Sequence, residues 1–224
     1  MINRYSLIIF DWDGTVVDSL PNIVAALQYA GRQESLPEPL PSACQEVIGL
    51  GLDKALLTLY PKATHAQLER LIIAYRSCHG VLERNVSVPF KGALEGLARI
   101  KRTGTLLGVA TGKSRAGLER SFKGNGLSDY FDATMTVDEA PSKPDPGMVL
   151  RMMATLSVTA GQTLMVGDSV YDMAMAGRAG IDCIGVSYGA QSAERLKAYK
   201  PVLIADHFDD ITHWLGLRRQ DGLQ

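Results

Sequence analysis

The sequence predicts an α/β fold: a doubly wound parallel sheet carrying an inserted all-helical cap subdomain. Three observations lead there. Short, nearly continuous apolar runs recur along the 224 residues, most of them followed directly by Gly, Asp or Thr, as expected of strands buried on both faces. Helical patterns lie between these runs, and strands alternating with helices imply crossover connections. Residues 19–85 break the alternation and read as helices alone.

The strand candidates are Leu7–Phe10, Leu106–Ala110, Thr163–Val166, Cys183–Val186 and Val202–Ile204. Within the insertion, Pro21 opens a helix that carries Ile23, Val24 and Leu27. The run from Leu36 to Pro41 is a turn or loop. Thr64-His65-Ala66-Gln67 is a capping-box pattern, after which Leu68, Leu71, Ile72, Tyr75, Cys78 and Leu82 keep a helical period. Val88-Pro89 returns the chain to the core. Leu94, Leu97 and Ile100 are expected on one helix face that stops at Gly104. Ser114 is a candidate N-cap for a helix with Leu118 and Phe122 at i, i+4. Met148, Met152 and Leu156 form a stripe entered through Pro144-Asp145-Pro146, a pattern that suits core filling. The expected division is therefore 1–18 and 86–224 for the α/β core and 19–85 for the helical cap, with Arg218–Gly222 as a loose tail.

Composition excludes several classes. A 46% hydrophobic share with 21% charged residues is that of a globular chain. Lys+Arg 23 against Asp+Glu 24 gives a net charge of −1, so neither a nucleic acid nor a membrane surface is an expected partner. No stretch reaches the ~18 apolar residues of a membrane helix, and the start MINRYSLIIFDWDG does not read as a signal peptide. Cys44, Cys78 and Cys183 are widely spaced and odd in number, which favours reduced thiols and a soluble, cytoplasmic protein.

In an open parallel sheet the ligand crevice lies beyond the carboxyl ends of the strands, and four polar groups stand there. Asp11-Trp12-Asp13-Gly14-Thr15 places two carboxylates two residues apart. Such a pair suits a hard cation, although Asp and Gly also suit a turn. Ala110-Thr111-Gly112-Lys113-Ser114 offers a hydroxyl and free N–H groups at a helix start, a place for phosphate or simply a capped helix. In Ser142-Lys143-Pro144 the proline disfavours helical geometry at Lys143 and points to an extended residue whose ammonium could neutralise an anion. In Gly167-Asp168-Ser169-Val170-Tyr171-Asp172, Asp168 could complete a metal site and Asp172 could brace Lys143 or a metal-bound water; a helix cap and a surface residue are the alternatives.

Taken together, in this order, the four groups resemble the haloacid dehalogenase superfamily of aspartate-nucleophile phosphohydrolases. The resemblance runs from about residue 5 to 190. DWDGTVVDS followed by a helical insertion looks like the branch with a C1-type cap, to which phosphoglycolate phosphatases and related sugar-phosphate phosphatases belong. Gly49–Leu52, Tyr75-Arg76 and Pro89–Gly92 are similar to that branch as well. The resemblance implies that Asp11 is the nucleophile and Asp13 the acid and base. It implies a magnesium ion, Mg²⁺, held by Asp11, the Asp13 carbonyl and Asp168. Thr111 and Gly112 would bind phosphate oxygens, Lys143 would quench developing charge, and Asp172 would position the inner groups. The implied substrate is a small phosphorylated metabolite, acted on by a monomer or homodimer. Gly112 and Lys91 depart from the family's pattern, where Asn and Pro are common.

The four histidines show no metal spacing. His207 and His213 flank a short helix and suit the surface, Cys183 suits a core strand, and Trp12 suits packing. Lys113 could reach a substrate oxygen or face water. A phosphomutase and an Asp-phosphorylated signalling or binding domain are the competing readings. The helical block and the second carboxylate, Asp13, argue against the latter.

Overall fold

A computed structural model describes residues 4–82 and 87–217. The expected tail, Arg218–Gly222, lies outside the described residues, as do residues 83–86 near the end of the insertion. The first strand, β1 (Leu7–Phe10), is followed by the two-residue β2 (Val17–Asp18). Four helices come next: α1 (Leu20–Gln33), α2 (Pro41–Val47), α3 (Leu52–Leu59) and α4 (His65–Leu82). The chain then runs through β3 (Val88–Pro89), α5 (Ala93–Lys101), β4 (Leu106–Ala110), α6 (Arg115–Asn125) and β5 (Ala133–Met135). It continues with α7 (Gly147–Leu156), β6 (Thr163–Gly167), α8 (Val170–Ala179) and β7 (Asp182–Val186). It closes with α9 (Ala193–Lys197), β8 (Leu203–Ala205) and α10 (Phe208–Trp214).

Six strands form one sheet in the order β5-β4-β1-β6-β7-β8, with every pair parallel. Leu7 lies opposite both Leu106 and Thr163, and Phe10 opposite both Val109 and Val166. The period of two sends alternate residues to opposite faces. Ile8, Phe10, Leu107, Val109, Leu164 and Val166 pack with Leu97 and Ile100 of α5 and Phe208 and Ile211 of α10. Leu7, Ile9, Met165 and Cys183 pack on the other face with Met148 and Met152 of α7 and Met173 of α8. Both faces are covered by helices, so burying each large side chain contributes about 1.5–3 kcal/mol. The Met148/Met152 stripe is core filling, and Cys183 is a buried strand residue.

One helix face differs from the reading of the sequence. Leu94 is 40% exposed, and Ala93, Gly96, Leu97 and Ile100 form the buried side of α5. The ring of Phe208 occupies the space that a side chain at Gly96 would need, so α10 packs against α5 at a glycine.

The helices of the insertion have a core of their own. Ile23 and Leu27 of α1, Cys44 and Val47 of α2, Leu56 of α3 and Leu71 of α4 form one buried cluster. The capping box forms as expected at α4: Thr64 N–H donates to Gln67 Oε1 at 3.0 Å and Gln67 N–H to Thr64 Oγ1 at 3.3 Å. β2 and β3 pair antiparallel, with Val17 opposite Pro89, so the chain leaves the core and re-enters it side by side. No described helix is long and apolar enough to cross a membrane.

Candidate active site

β4, β1 and β6 are neighbours, so their carboxyl ends bring Thr111, Asp11 and Asp168 to one crevice. Asp11 Oδ1 lies 2.6 Å from Lys143 Nζ, and Asp172 Oδ1 lies 2.6 Å from the same nitrogen. Lys143 is fully buried and Asp11 is 2% exposed. Lys143 sits in a turn between β5 and α7, and its bond to Pro144 is cis. The ammonium therefore bridges a carboxylate at the end of β1 and one in the first turn of α8.

Two serines that the sequence reading passed over fix the carboxylates. Ser169 is the N-cap of α8 and accepts from the Asp172 N–H. Asp172 Oδ2 in turn accepts from Ser169 N–H at 3.1 Å and from Ser169 Oγ at 2.6 Å. This Ser-x-x-Asp capping box was legible as a pattern. The cap of α8 is thus Ser169 and not Asp168. Asp168 instead accepts from Thr15 Oγ1 at 3.2 Å and from Ala190 N–H at 2.7 Å. Gly14 makes room for it: its φ is +80°, and a Cβ there would overlap Asp168 Oδ2.

Asp13 points elsewhere. Its Oδ1 accepts from Ser19 Oγ at 2.6 Å and lies 3.1 Å from Lys113 Nζ. Among the described residues, the carboxylates close enough to share a cation are Asp11, Asp168 and Asp172, each with an oxygen within 4.8 Å of the others. The Asp13 side chain is not in that triad, so only its backbone carbonyl remains available as a ligand. Lys113 does not face water: its side chain is 9% exposed against Asp13. Trp12, between the two aspartates, is fully buried, donates from Nε1 to Ser121 Oγ at 2.9 Å and meets Phe122 edge-on. It packs into the core.

The buried charges shift one another. Burial raises the Asp11 carboxyl well above its usual range; Lys143 opposes this, while Asp172 and Asp168 add to it. Asp168 is pushed up to about 7, chiefly by burial and then by Asp172, with the Ala190 N–H opposing. For Lys143, burial disfavours the charged form, yet Asp11 and Asp172 together outweigh it and raise its pKa. The cluster of three carboxylates thus outnumbers the one ammonium, which pairs with Asp11 and Asp172, and Asp11 Oδ2 is buried with no hydrogen-bond partner among the described residues. This excess of negative oxygen fits a hard divalent cation.

A cavity of about 600 Å³ opens between the strand ends and the insertion. Asp11, Asp13, Thr111, Gly112 and Lys113 line the core side; Ile48, Gly49, Leu50, Arg76 and His79 line the cap side. Lys143, Asp168 and Asp172 are buried behind Asp11 and do not line it. Gly49, Leu50, Leu52 and Arg76, from the segments similar to the C1-capped branch, are among the lining residues. Lys54, His79 and Arg120 also line the cavity, and no motif marked them. His207 and His213 are exposed at α10, as expected.

Residues 8–186 match the model of the haloacid dehalogenase-like hydrolases. The chain belongs to that family. It is therefore an enzyme, a hydrolase of the phosphatase type. A protein of Dickeya dadantii named "Probable phosphatase IndB" is 38% identical over 92% of this chain and 91% of its own length. A phosphoglycolate phosphatase of Rhodospirillum rubrum is 31% identical over 96% of this chain and 92% of its own. The crystal structure of a haloacid dehalogenase-like hydrolase from Bacteroides fragilis superposes with a TM-score of 0.87 at 23% identity, covering 93% of this chain and all of that one. It shares the fold.

Proposed function

We propose that this haloacid dehalogenase-like hydrolase cleaves a small phosphate monoester through an aspartyl-phosphate on Asp11. The observation that carries the reading is the Lys143 ammonium, held 2.6 Å from Asp11 on one side and from Asp172 on the other. A carboxylate nucleophile needs no base to activate it, and phosphoryl transfer asks mainly for alignment and charge neutralisation.

Each residue then has a task. Asp11, on the cavity wall, forms a bond to phosphorus as the ester P–O bond breaks. Asp13 gives a proton to the departing alkoxide, then takes one from the water that attacks the aspartyl-phosphate. That water's oxygen bonds to phosphorus, inorganic phosphate leaves, and the Asp11 carboxylate is regenerated. Ser19 and Lys113 hold Asp13 for both transfers. Thr111 and the Gly112 N–H bind phosphoryl oxygens, and Lys143 balances the charge at Asp11. Mg²⁺ would be held by Asp11, Asp168 and the Asp13 carbonyl, and when bound it would neutralise phosphoryl oxygens and let the raised carboxyls ionise.

The helical group over residues 19–85 acts as the cap and selects the leaving group. Lys54, Arg76 and Arg120 around the cavity favour an anionic or polyhydroxylated one, such as a phosphoglycolate-like or sugar phosphate. Three free cysteines support a reducing, cytoplasmic setting. Phosphate release from para-nitrophenyl phosphate, followed by a panel of phosphorylated metabolites, each with and without Mg²⁺, tests this. Mg²⁺-dependent turnover is the expected result; a stable phosphorylated protein without phosphate release contradicts it.

A further inference from the structure

Three consecutive residues of the insertion meet three different loops of the core, each beside a residue of the site. A Cβ on Gly49 would lie 2.7 Å from Ser169 Oγ, the serine that holds Asp172. The Leu50 carbonyl comes so close over Gly112 that a Cβ there would lie 2.6 Å from it. Gly51 N–H donates to Ser142 Oγ at 2.7 Å. The α2–α3 connection thus touches the loops that carry Asp172, Thr111 and Lys143.

The third contact goes further than the others. The Ser142 hydroxyl accepts from Gly51 and donates to the Lys143 carbonyl at 3.3 Å. One hydroxyl therefore joins the cap to the main chain of the residue whose ammonium sets the charge at Asp11. Gly51 precedes the first turn of α3, so its N–H lies outside the helical ladder and needs an outside partner. With the cap lifted, water can serve; with the cap docked, Ser142 does. Exchanging water for a hydroxyl changes the free energy little, which leaves the link easy to make and break.

We propose that Ser142 is a positioning residue, whose hydroxyl ties docking of the Gly49–Gly51 loop to the placement of Lys143. This rests on the phosphatase reading above. It also accounts for Gly112: any side chain there would strike the Leu50 carbonyl and hold the loop off Ser142.

The full-length chain with Mg²⁺ and para-nitrophenyl phosphate tests the inference. Ser142→Ala should lower kcat roughly tenfold or more, because small displacements of aligned groups are costly. KM should stay within about twofold. Ser142→Thr keeps the hydroxyl and should recover most of kcat. Hydrogen exchange at the Gly51 amide should quicken in Ser142→Ala and stay slow in Ser142→Thr. An unchanged kcat in Ser142→Ala, an equal loss in both variants, or unaltered Gly51 exchange in Ser142→Ala overturns the proposal. Wild-type chain that releases no phosphate overturns the phosphatase reading itself, and this one with it.

Discussion

At the scale of single residues, the site is a problem in buried charge. Lys143 has no exposed surface and two carboxylates as partners. Lys143→Met leaves Asp11 and Asp172 without their cation, and truncating one partner of a buried pair costs about 3–5 kcal/mol. We therefore expect a lowered Tm as well as lost turnover, read by thermal melting at pH 8. Asp11→Asn is milder for the fold, since it removes a negative charge whose burial is already unfavourable. It should cut turnover by roughly 10³-fold or more while leaving Tm unchanged or raised. Gly14→Ala combines a positive φ with an overlap onto Asp168. The backbone strain alone costs about 1–3 kcal/mol, and a Tm equal to wild type would refute the role given to Gly14. Asp11, Asp13, Lys143 and Asp168 were legible because each follows an apolar run or precedes a proline. Ser19 was passed over because a serine near a helix start looks like any cap, and only the fold shows that it donates to Asp13.

At the scale of elements, helix starts hold the chemistry in place. Ser169 caps α8 and binds Asp172, so Ser169→Ala removes a cap worth about 1 kcal/mol. In a chain of this size that is a drop of about 2–4 °C in Tm, measurable by calorimetry. Turnover should fall as well, because Asp172 loses two of its hydrogen bonds. A drop in Tm with full activity would show that Asp172 needs no such restraint. The five apolar runs all became strands of the parallel sheet, since a strand buried on both faces is apolar throughout. β5 escaped notice because Ala133–Met135 is a half-buried edge of three residues. β2 and β3, with two residues each, are too short for any period. On α5 the pattern misled: Leu94 fits the spacing, but the ring of Phe208 selects Gly96 for the contact.

At the scale of the whole molecule, the core and the insertion enclose the cavity together, and this is what sequence patterns convey least. Lys54 of α3 and His79 of α4 reach it only through the packing of the insertion over the strand ends, and Arg120 reaches it from α6 on the core side. The net charge of the buried site also sets a pH dependence. In the metal-free chain burial pushes the Asp168 carboxyl up to about 7 from an ordinary 3.8, and Asp11 moves the same way. Between about pH 4 and 7 the folded chain therefore binds more protons than the unfolded chain. The stability that these carboxyls contribute is full below the unfolded value and is lost as pH rises through the folded one. Metal-free Tm should fall by a few degrees from pH 5 to pH 8, and Asp168→Asn should flatten that slope. Mg²⁺ added at pH 8 should raise the wild-type Tm again by binding the native state. A metal-free Tm that climbs over this range contradicts the burial argument.

Acid-quenching the enzyme during turnover of a phosphate monoester, then locating the phosphoryl group by peptide mass spectrometry, tests the nucleophile most directly. The label should sit on Asp11 and vanish in Asp11→Asn. Label on another residue, or Asp11→Asn turning over as fast as wild type, contradicts the account.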